Sequence, residues 1–159
     1  TPPLSLHLPS VVSGEAWFGP PVPVTGLKGY LLETVPANAC HPIKAAPVSN
    51  RTPSGFVALI RRYDCSFNLK VFHAQEAGYR AAIIYNLCSD FLVNMAISME
   101  ERRLPIVIPS MFIGRTTSRI LKHLRRRWLK KKREIALIIL VIINTPCDVH
   151  QDITEKVFI

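Results

Sequence analysis

Residues 56–60 form an unbroken apolar run, Phe56-Val57-Ala58-Leu59-Ile60, halted by the charged pair Arg61 and Arg62. Such a run, rich in strand formers and bounded by charge, predicts a short buried strand. Asp64, Cys65 and Ser66 follow, with short polar side chains that can accept from the free N–H groups of a helix start. Over 67–77 the apolar residues Phe67, Val71, Ala74 and Ala77 recur at helical spacing, with Lys70, Gln75 and Glu76 between them. Gly78 is a natural stop, because glycine accepts the left-handed turn that ends many helices. Residues 81–85 make a second short apolar run. The pattern predicts a β-α-β unit over 56–86, and such units make a right-handed crossover between parallel strands.

Around this unit the pattern is less regular. Residues 30–35 predict a strand ending at Pro36, and Pro42, Pro47 and Pro53 make 37–53 a loop. Residues 105–113 predict a short strand broken by Pro109 and ended by Gly114. Thr116 or Thr117 then caps a helix whose apolar face is Ile120, Leu121, Leu124 and Trp128. Its opposite face carries Arg119, Lys122, Arg125, Arg126, Arg127 and the basic run 130–133. Residues 135–143, apolar throughout, predict a central strand covered on both sides. Before all of this, 1–26 contains Pro2, Pro3, Pro9, Pro20, Pro21 and Pro23 and reads as an extended arm. Val11 and Val12 are candidates for one short edge strand, and Trp17 and Phe18 for packing the arm onto the domain. The expected organisation is an arm over 1–26, one α/β domain over 27–143 and a tail over 144–159.

At 159 residues the chain suits a single domain with tails. No apolar run approaches the ~20 residues of a membrane helix, and 1–9 lacks the basic start of a signal peptide. The absence of an initiating Met points to a mature form or a fragment. The net charge of +9 is unevenly placed. Residues 102–133 hold twelve of the twenty basic residues and no acid, which leaves eight basic and eleven acidic residues elsewhere. Any electrostatic partner is therefore to be sought at that segment, whose basic surface is Arg119, Lys122, Arg125, Arg126, Lys130 and Arg133.

Candidate chemistry is sparse. Asp64, Cys65 and His73 suggest a cysteine hydrolase, but His73 lies two helical turns beyond Cys65, too far for a local dyad. No nucleophile elbow or phosphate-cradling glycine loop is present. Cys40-His41 and the pair Cys147 and His150 each offer two ligands, where zinc needs four well-spaced ones. No metal or cofactor is expected. The four cysteines, Cys40, Cys65, Cys88 and Cys147, permit three full pairings. Asn50-Arg51-Thr52 matches an N-glycosylation acceptor in a loop, although the following Pro53 disfavours its use.

The run LIRRYDCSFNLKVFHAQEAGYRAAIIYN, with GYLLETVPANACHPI before it and IPSMFIG after it, resembles the protease-associated (PA) domain of Goliath-type transmembrane RING ubiquitin ligases. It looks most like the zinc-and-RING-finger branch. The resemblance covers roughly residues 29–114. It implies a mostly β core, part sandwich and part open barrel, flanked by two helices. It favours a disulfide between Cys40 and Cys65, with Cys88 and Cys147 as candidates for free thiols, and it raises the prospect of a sugar on Asn50. It also implies a non-catalytic protein- or peptide-binding module in the lumen of the endoplasmic reticulum or endosome, or outside the cell. In full-length, membrane-anchored relatives such a domain recruits substrates. Candidate contacts are His41, Asn86, Ser89, Asp90 and Phe91. The chain departs from the family pattern in having no RING ladder and no membrane helix, and in the density of charge on its second helix. A rival reading is a cationic binder of acidic lipid, acidic protein or nucleic acid through 115–133. Another is a shortened product with no independent role.

Overall fold

The computed structural model describes residues 14–23, 27, 29–48 and 55–131. In chain order the elements are β1 (Gly14–Glu15), β2 (Tyr30–Glu33), β3 (Phe56–Arg61), α1 (Phe67–Glu76), β4 (Ala81–Tyr85), β5 (Ser110–Ile113) and α2 (Arg115–Lys131). The five strands make one sheet in the order β1-β5-β4-β3-β2. Four of them, β2 to β5, are mutually parallel, and only β1 runs antiparallel, at the edge beside β5. The class is the expected α/β with two helices, and the β3-α1-β4 unit is parallel with Leu59 opposite Ile83.

Strand alternation divides the core between two layers. Ala58 and Ile60 of β3, Ala82 and Ile84 of β4 and Phe112 of β5 face α1, where Val71 and Ala74 are fully buried. The connections on either side of α1 cover the same face, through Ile43 and Ala46 before it and Leu92, Val93, Ile106 and Ile108 after it. Leu59, Tyr85 and Ile113 point the other way, onto Leu121 of α2. Both faces of the parallel strands are therefore dry, which explains why 56–60 and 81–85 read as continuous apolar runs.

Local chemistry sets the helix ends. Ser66 is the N-cap of α1, its hydroxyl accepting from the Leu69 N–H. At the other end Gly78 takes φ +86°, and its N–H donates to the Gln75 carbonyl. The cap of α2 comes from elsewhere in the chain. The Asp90 carboxylate accepts from the Thr116 N–H at 2.7 Å and from the Thr116 hydroxyl at 2.6 Å. The approach is so close that a Cβ at Gly114 would lie 2.8 Å from the Asp90 Cα. Glycine at 114 thus permits the contact, and neither threonine side chain caps the helix as the sequence suggested.

The arm supplies an edge strand and departs from expectation at Trp17. The edge strand is Gly14–Glu15, while Val11 and Val12 lie outside the described residues. Phe18 is buried in the α1-side core, but Trp17 is 64% exposed and only its backbone N–H is anchored, to the Met95 carbonyl. The strand before Gly114 begins only at Ser110, so 105–109 precedes the sheet. Asn50, Arg133, Cys147, His150, the anticipated strand at 135–143 and the tail 144–159 lie outside the described residues.

Replacing Asp90 with Ala is expected to destabilise the domain by about 1 kcal/mol in urea unfolding at neutral pH, the usual cost of losing a helix cap. The Thr116 hydrogen bonds hold the Asp90 carboxyl below the usual carboxylate range. This contribution is therefore present above that range and is lost as pH falls through the folded value, so wild type and variant should converge in acid.

Candidate functional site

Four parallel strands end on one edge, and the loops leaving them are tied into a single unit. The Arg61 N–H donates to the Ala37 carbonyl and the Arg62 N–H to the Tyr85 carbonyl, binding the loops after β2, β3 and β4 to one another. The Tyr63 hydroxyl donates to Asn86 Oδ1 at 3.1 Å, and the Arg115 N–H donates to the Ser89 carbonyl. In open α/β sheets, ligands bind outside the carboxyl ends of the strands.

The centre of this edge is stapled twice. Cys40 and Cys65 form a disulfide with a Cα–Cα distance of 5.7 Å, joining the loops after β2 and β3. Beneath it lies Lys70, fully buried. Its ammonium donates to the Asn38 carbonyl at 2.7 Å and the Tyr63 carbonyl at 2.5 Å, and sits 3.5 Å from Cys40 Sγ. The backbone that it holds is unusual. Ala39, Tyr63 and Asp64 all have positive φ, at 50°, 81° and 74°. Non-glycine residues held this way cost roughly 1–3 kcal/mol each and persist only where surrounding contacts impose them.

Electrostatics at the staple follow from burial. Loss of water pushes the Lys70 ammonium down to about 7; Asp64 opposes the shift and Arg61 adds to it. Asp64 is held below the usual carboxylate range, first by a hydrogen bond from Asn38 and also by Arg61. The Asn38 amide donates to Asp64 at 2.8 Å, and Arg61 pairs with the same oxygen at 3.0 Å. Arg62, nearly buried, places its guanidinium 5.2 Å from the ring centres of both Tyr63 and Phe112 and 5.6 Å from that of Phe67.

The structure distributes the anticipated site residues unevenly. Cys40 and Cys65 are joined, so the Cys65 sulfur is committed to a structural bond. His73 does not approach it as a base; its Nδ1 lies 2.7 Å from the Ala39 carbonyl. Cys88, a candidate free thiol, is disulfide-bonded. Asn86 is buried and spends its amide inside the loop, with Nδ2 donating to Ser89 Oγ and the Phe91 carbonyl. Ser89 Oγ also accepts from the Phe91 N–H, and Asp90 caps α2. These polar residues shape the loop and present Phe91, which is 74% exposed. His41 is also exposed, beside Cys40. On α2, Lys122 and Arg125 both reach Glu33 at 3.0 Å, and Lys122 lies 4.0 Å from the Tyr85 ring centre. Arg126 is exposed, and Arg119 is half-buried on the same helix as Lys130.

Several working residues are hard to see in the sequence. Lys70 reads as a polar interleaver, yet it lies four residues before the buried Ala74 and three after Phe67, on the face that enters the core. Gln75 bridges α1 to the strand-like segment after it, donating to the Pro105 carbonyl and accepting from the Val107 N–H. Glu101 receives the Ser66 hydroxyl at the start of α1, and its carbonyl accepts from Asn68.

Together the sheet, the layers on its two faces and the disulfide-stapled loop edge make a three-layer α/β domain. The PA domain family model matches residues 19–121. "E3 ubiquitin-protein ligase ZNRF4" of Macaca fascicularis is 51% identical over 107 residues, which are 67% of this chain and 25% of that protein. "E3 ubiquitin-protein ligase RNF13" of Homo sapiens is 47% identical over 67% of this chain and 28% of its own length. "Receptor homology region, transmembrane domain- and RING domain-containing protein 1" of Oryza sativa subsp. japonica is 38% identical over 68% of this chain and 19% of its own. The chain belongs to the PA domain family, in the form carried by Goliath-type RING ubiquitin ligases. It spans about a quarter of the length of the relatives named ZNRF4 and RNF13. Among the described residues no helix is long and apolar enough to cross a membrane, and no group of three or more His, Cys, Asp or Glu could hold a metal ion.

The titration of Lys70 has a measurable consequence. Between about 7 and the ordinary 10.5 the unfolded chain holds the Lys70 proton and the folded domain releases it, so stability from this group rises with pH across that window. Below about 7 both states are protonated and the cost of burying the charge is fully present. In urea unfolding between about pH 7 and pH 10, wild type should gain on Lys70→Met by up to about 1.4 kcal/mol per pH unit. Parallel curves for the two proteins would show that Lys70 ionises as if in water.

Proposed function

We propose that this chain is a non-catalytic module that binds a protein or peptide through the loop edge at the carboxyl ends of its parallel strands. It works in the lumen of the secretory or endosomal system or outside the cell, and in whole proteins of this family it selects substrates for the ligase. The observation that carries the reading is Phe91, an aromatic side chain 74% exposed on a loop fixed by Asn86, Ser89 and Asp90. An aromatic presented on a pre-ordered loop costs little entropy to bury, which is the usual character of an interface anchor. His41 and the loop after β2 flank the stapled part of the same edge. The disulfides at Cys40, Cys65 and Cys88 suit an oxidising compartment. That the sulfur of Cys65 is bonded and His73 is engaged with a backbone carbonyl supports binding over catalysis.

Luminal crosslinking with mass spectrometry on wild type, Phe91→Ser and Val107→Ser tests it, Val107 being an exposed apolar side chain that precedes β5, at the amino end of the strands. Loss of Phe91 should weaken at least one crosslinked partner by about 2 kcal/mol, roughly thirtyfold in affinity. Val107→Ser should leave that partner unchanged, with thermal unfolding of both variants as in wild type. Identical crosslinking profiles for the two variants would remove Phe91 from the interface.

A further inference from the structure

The two sulfurs of the Cys40–Cys65 bridge stand in different surroundings. Among the described residues the hydrogen bonds of the Lys70 ammonium end on the Asn38 carbonyl, the Tyr63 carbonyl and Cys40 Sγ, the last at 3.5 Å. An ammonium has three donors, so one remains for the sulfur once both carbonyls are served. Cys65 lies just before Ser66, the N-cap of α1, where a helix end favours negative charge only weakly. A full cation in contact with Cys40 outweighs that partial one. The Asn38 and Tyr63 carbonyls lie 3.7 and 3.8 Å from Cys40 Sγ and oppose charge there, but the same ammonium already holds both. Asp64 and Arg61, the other charged groups that act on Lys70, pair with each other at 3.0 Å. Both cysteines are half-buried, so the bridge reaches the surface while the ammonium under it does not.

We propose that this bridge is a site of thiol exchange, at which a small thiol modifies Cys65 and Cys40 is the leaving group. The incoming thiolate forms a bond to Cys65 Sγ, the Cys40–Cys65 bond breaks, and its electron pair goes to Cys40 Sγ beside the ammonium. A thiol leaves faster as its pKa falls, and a neighbouring lysine cation lowers it. With the bridge intact, burial pushes the Lys70 ammonium down to about 7; negative charge arriving on Cys40 favours its protonated form again. The product is a mixed disulfide on Cys65 and an ion pair between Cys40 and Lys70. Positive φ at Ala39, Tyr63 and Asp64, next to or near the two cysteines, adds a drive toward opening, because such backbone persists only under restraint. The exchange concerns the bridge alone and does not depend on what the loop edge binds.

The test uses the full chain and reduced glutathione as the probe, at about pH 7. Early time points are quenched in acid, free thiols are alkylated, and the peptides holding Cys40 and Cys65 are read by mass spectrometry. Wild type should carry glutathione on Cys65 and the alkyl label on Cys40, in roughly tenfold excess over the reverse. Lys70→Met keeps most of the side-chain volume without the charge and should lose this preference. The wild-type ratio is a test by itself, independent of whether the variant folds. Equal modification of the two sulfurs in wild type, or glutathione chiefly on Cys40, would overturn the proposal. An unchanged preference in folded Lys70→Met would do the same, as would a bridge that forms no adduct under a large excess of glutathione.

Discussion

A buried ammonium holding two loop carbonyls is the contact on which the loop edge rests. Lys70 rises from α1 into the space under the Cys40–Cys65 bridge and fastens Asn38 and Tyr63, one residue from each of the two loops that the disulfide joins. Covalent closure alone would limit how far those loops separate. It would not impose positive φ at Ala39, Tyr63 and Asp64. Hydrogen bonds from a single cation to both carbonyls can do so, since an unsatisfied carbonyl in that buried place is costly. The ammonium has three donors and the neutral amine two, so either protonation state can serve both acceptors. This reconciles a fully buried lysine with a stable fold.

From that anchor the edge extends by short steps. Tyr63 reaches Asn86, Asn86 gathers Ser89 and the Phe91 carbonyl, and Asp90 takes the first turn of α2. The loop carrying the exposed Phe91 is thus fixed on one side by the stapled loops and on the other by a helix start. The second helix in turn is drawn to the far edge of the sheet by Glu33, which binds both Lys122 and Arg125. Polar residues position, and an apolar one is displayed.

Much of the frame was legible in the sequence because its signals are local. The apolar runs at 56–60 and 81–85, Ser66 and Gly78 mark the β-α-β unit without tertiary information. The family resemblance supplied the Cys40–Cys65 pairing, which spacing left open. What escaped were effects in which distant residues override a local rule. Thr116 looks like a cap and is instead capped by Asp90, because Gly114 lets that loop come close. Lys70 looks like a solvated helix residue and is buried, because two loops remote in sequence close over it. Trp17 and Phe18 are equally apolar neighbours, and only the topology of β1 beside β5 decides that Phe18 is the one turned inward. Asn86, Ser89 and Asp90 were legible as a polar loop, but not as the internal support of Phe91.

The central claim, that Lys70 and the disulfide jointly impose the conformation of the edge, is tested most directly by amide hydrogen exchange on wild type and Lys70→Met, both with the disulfide intact. Exchange should be faster in the variant at Ala39 and Cys40, bonded within the loop after β2, and at Arg61 and Arg62, bonded to Ala37 and Tyr85, with α2 unchanged. Unaltered protection at those four amides would contradict it and leave the disulfide as sufficient on its own.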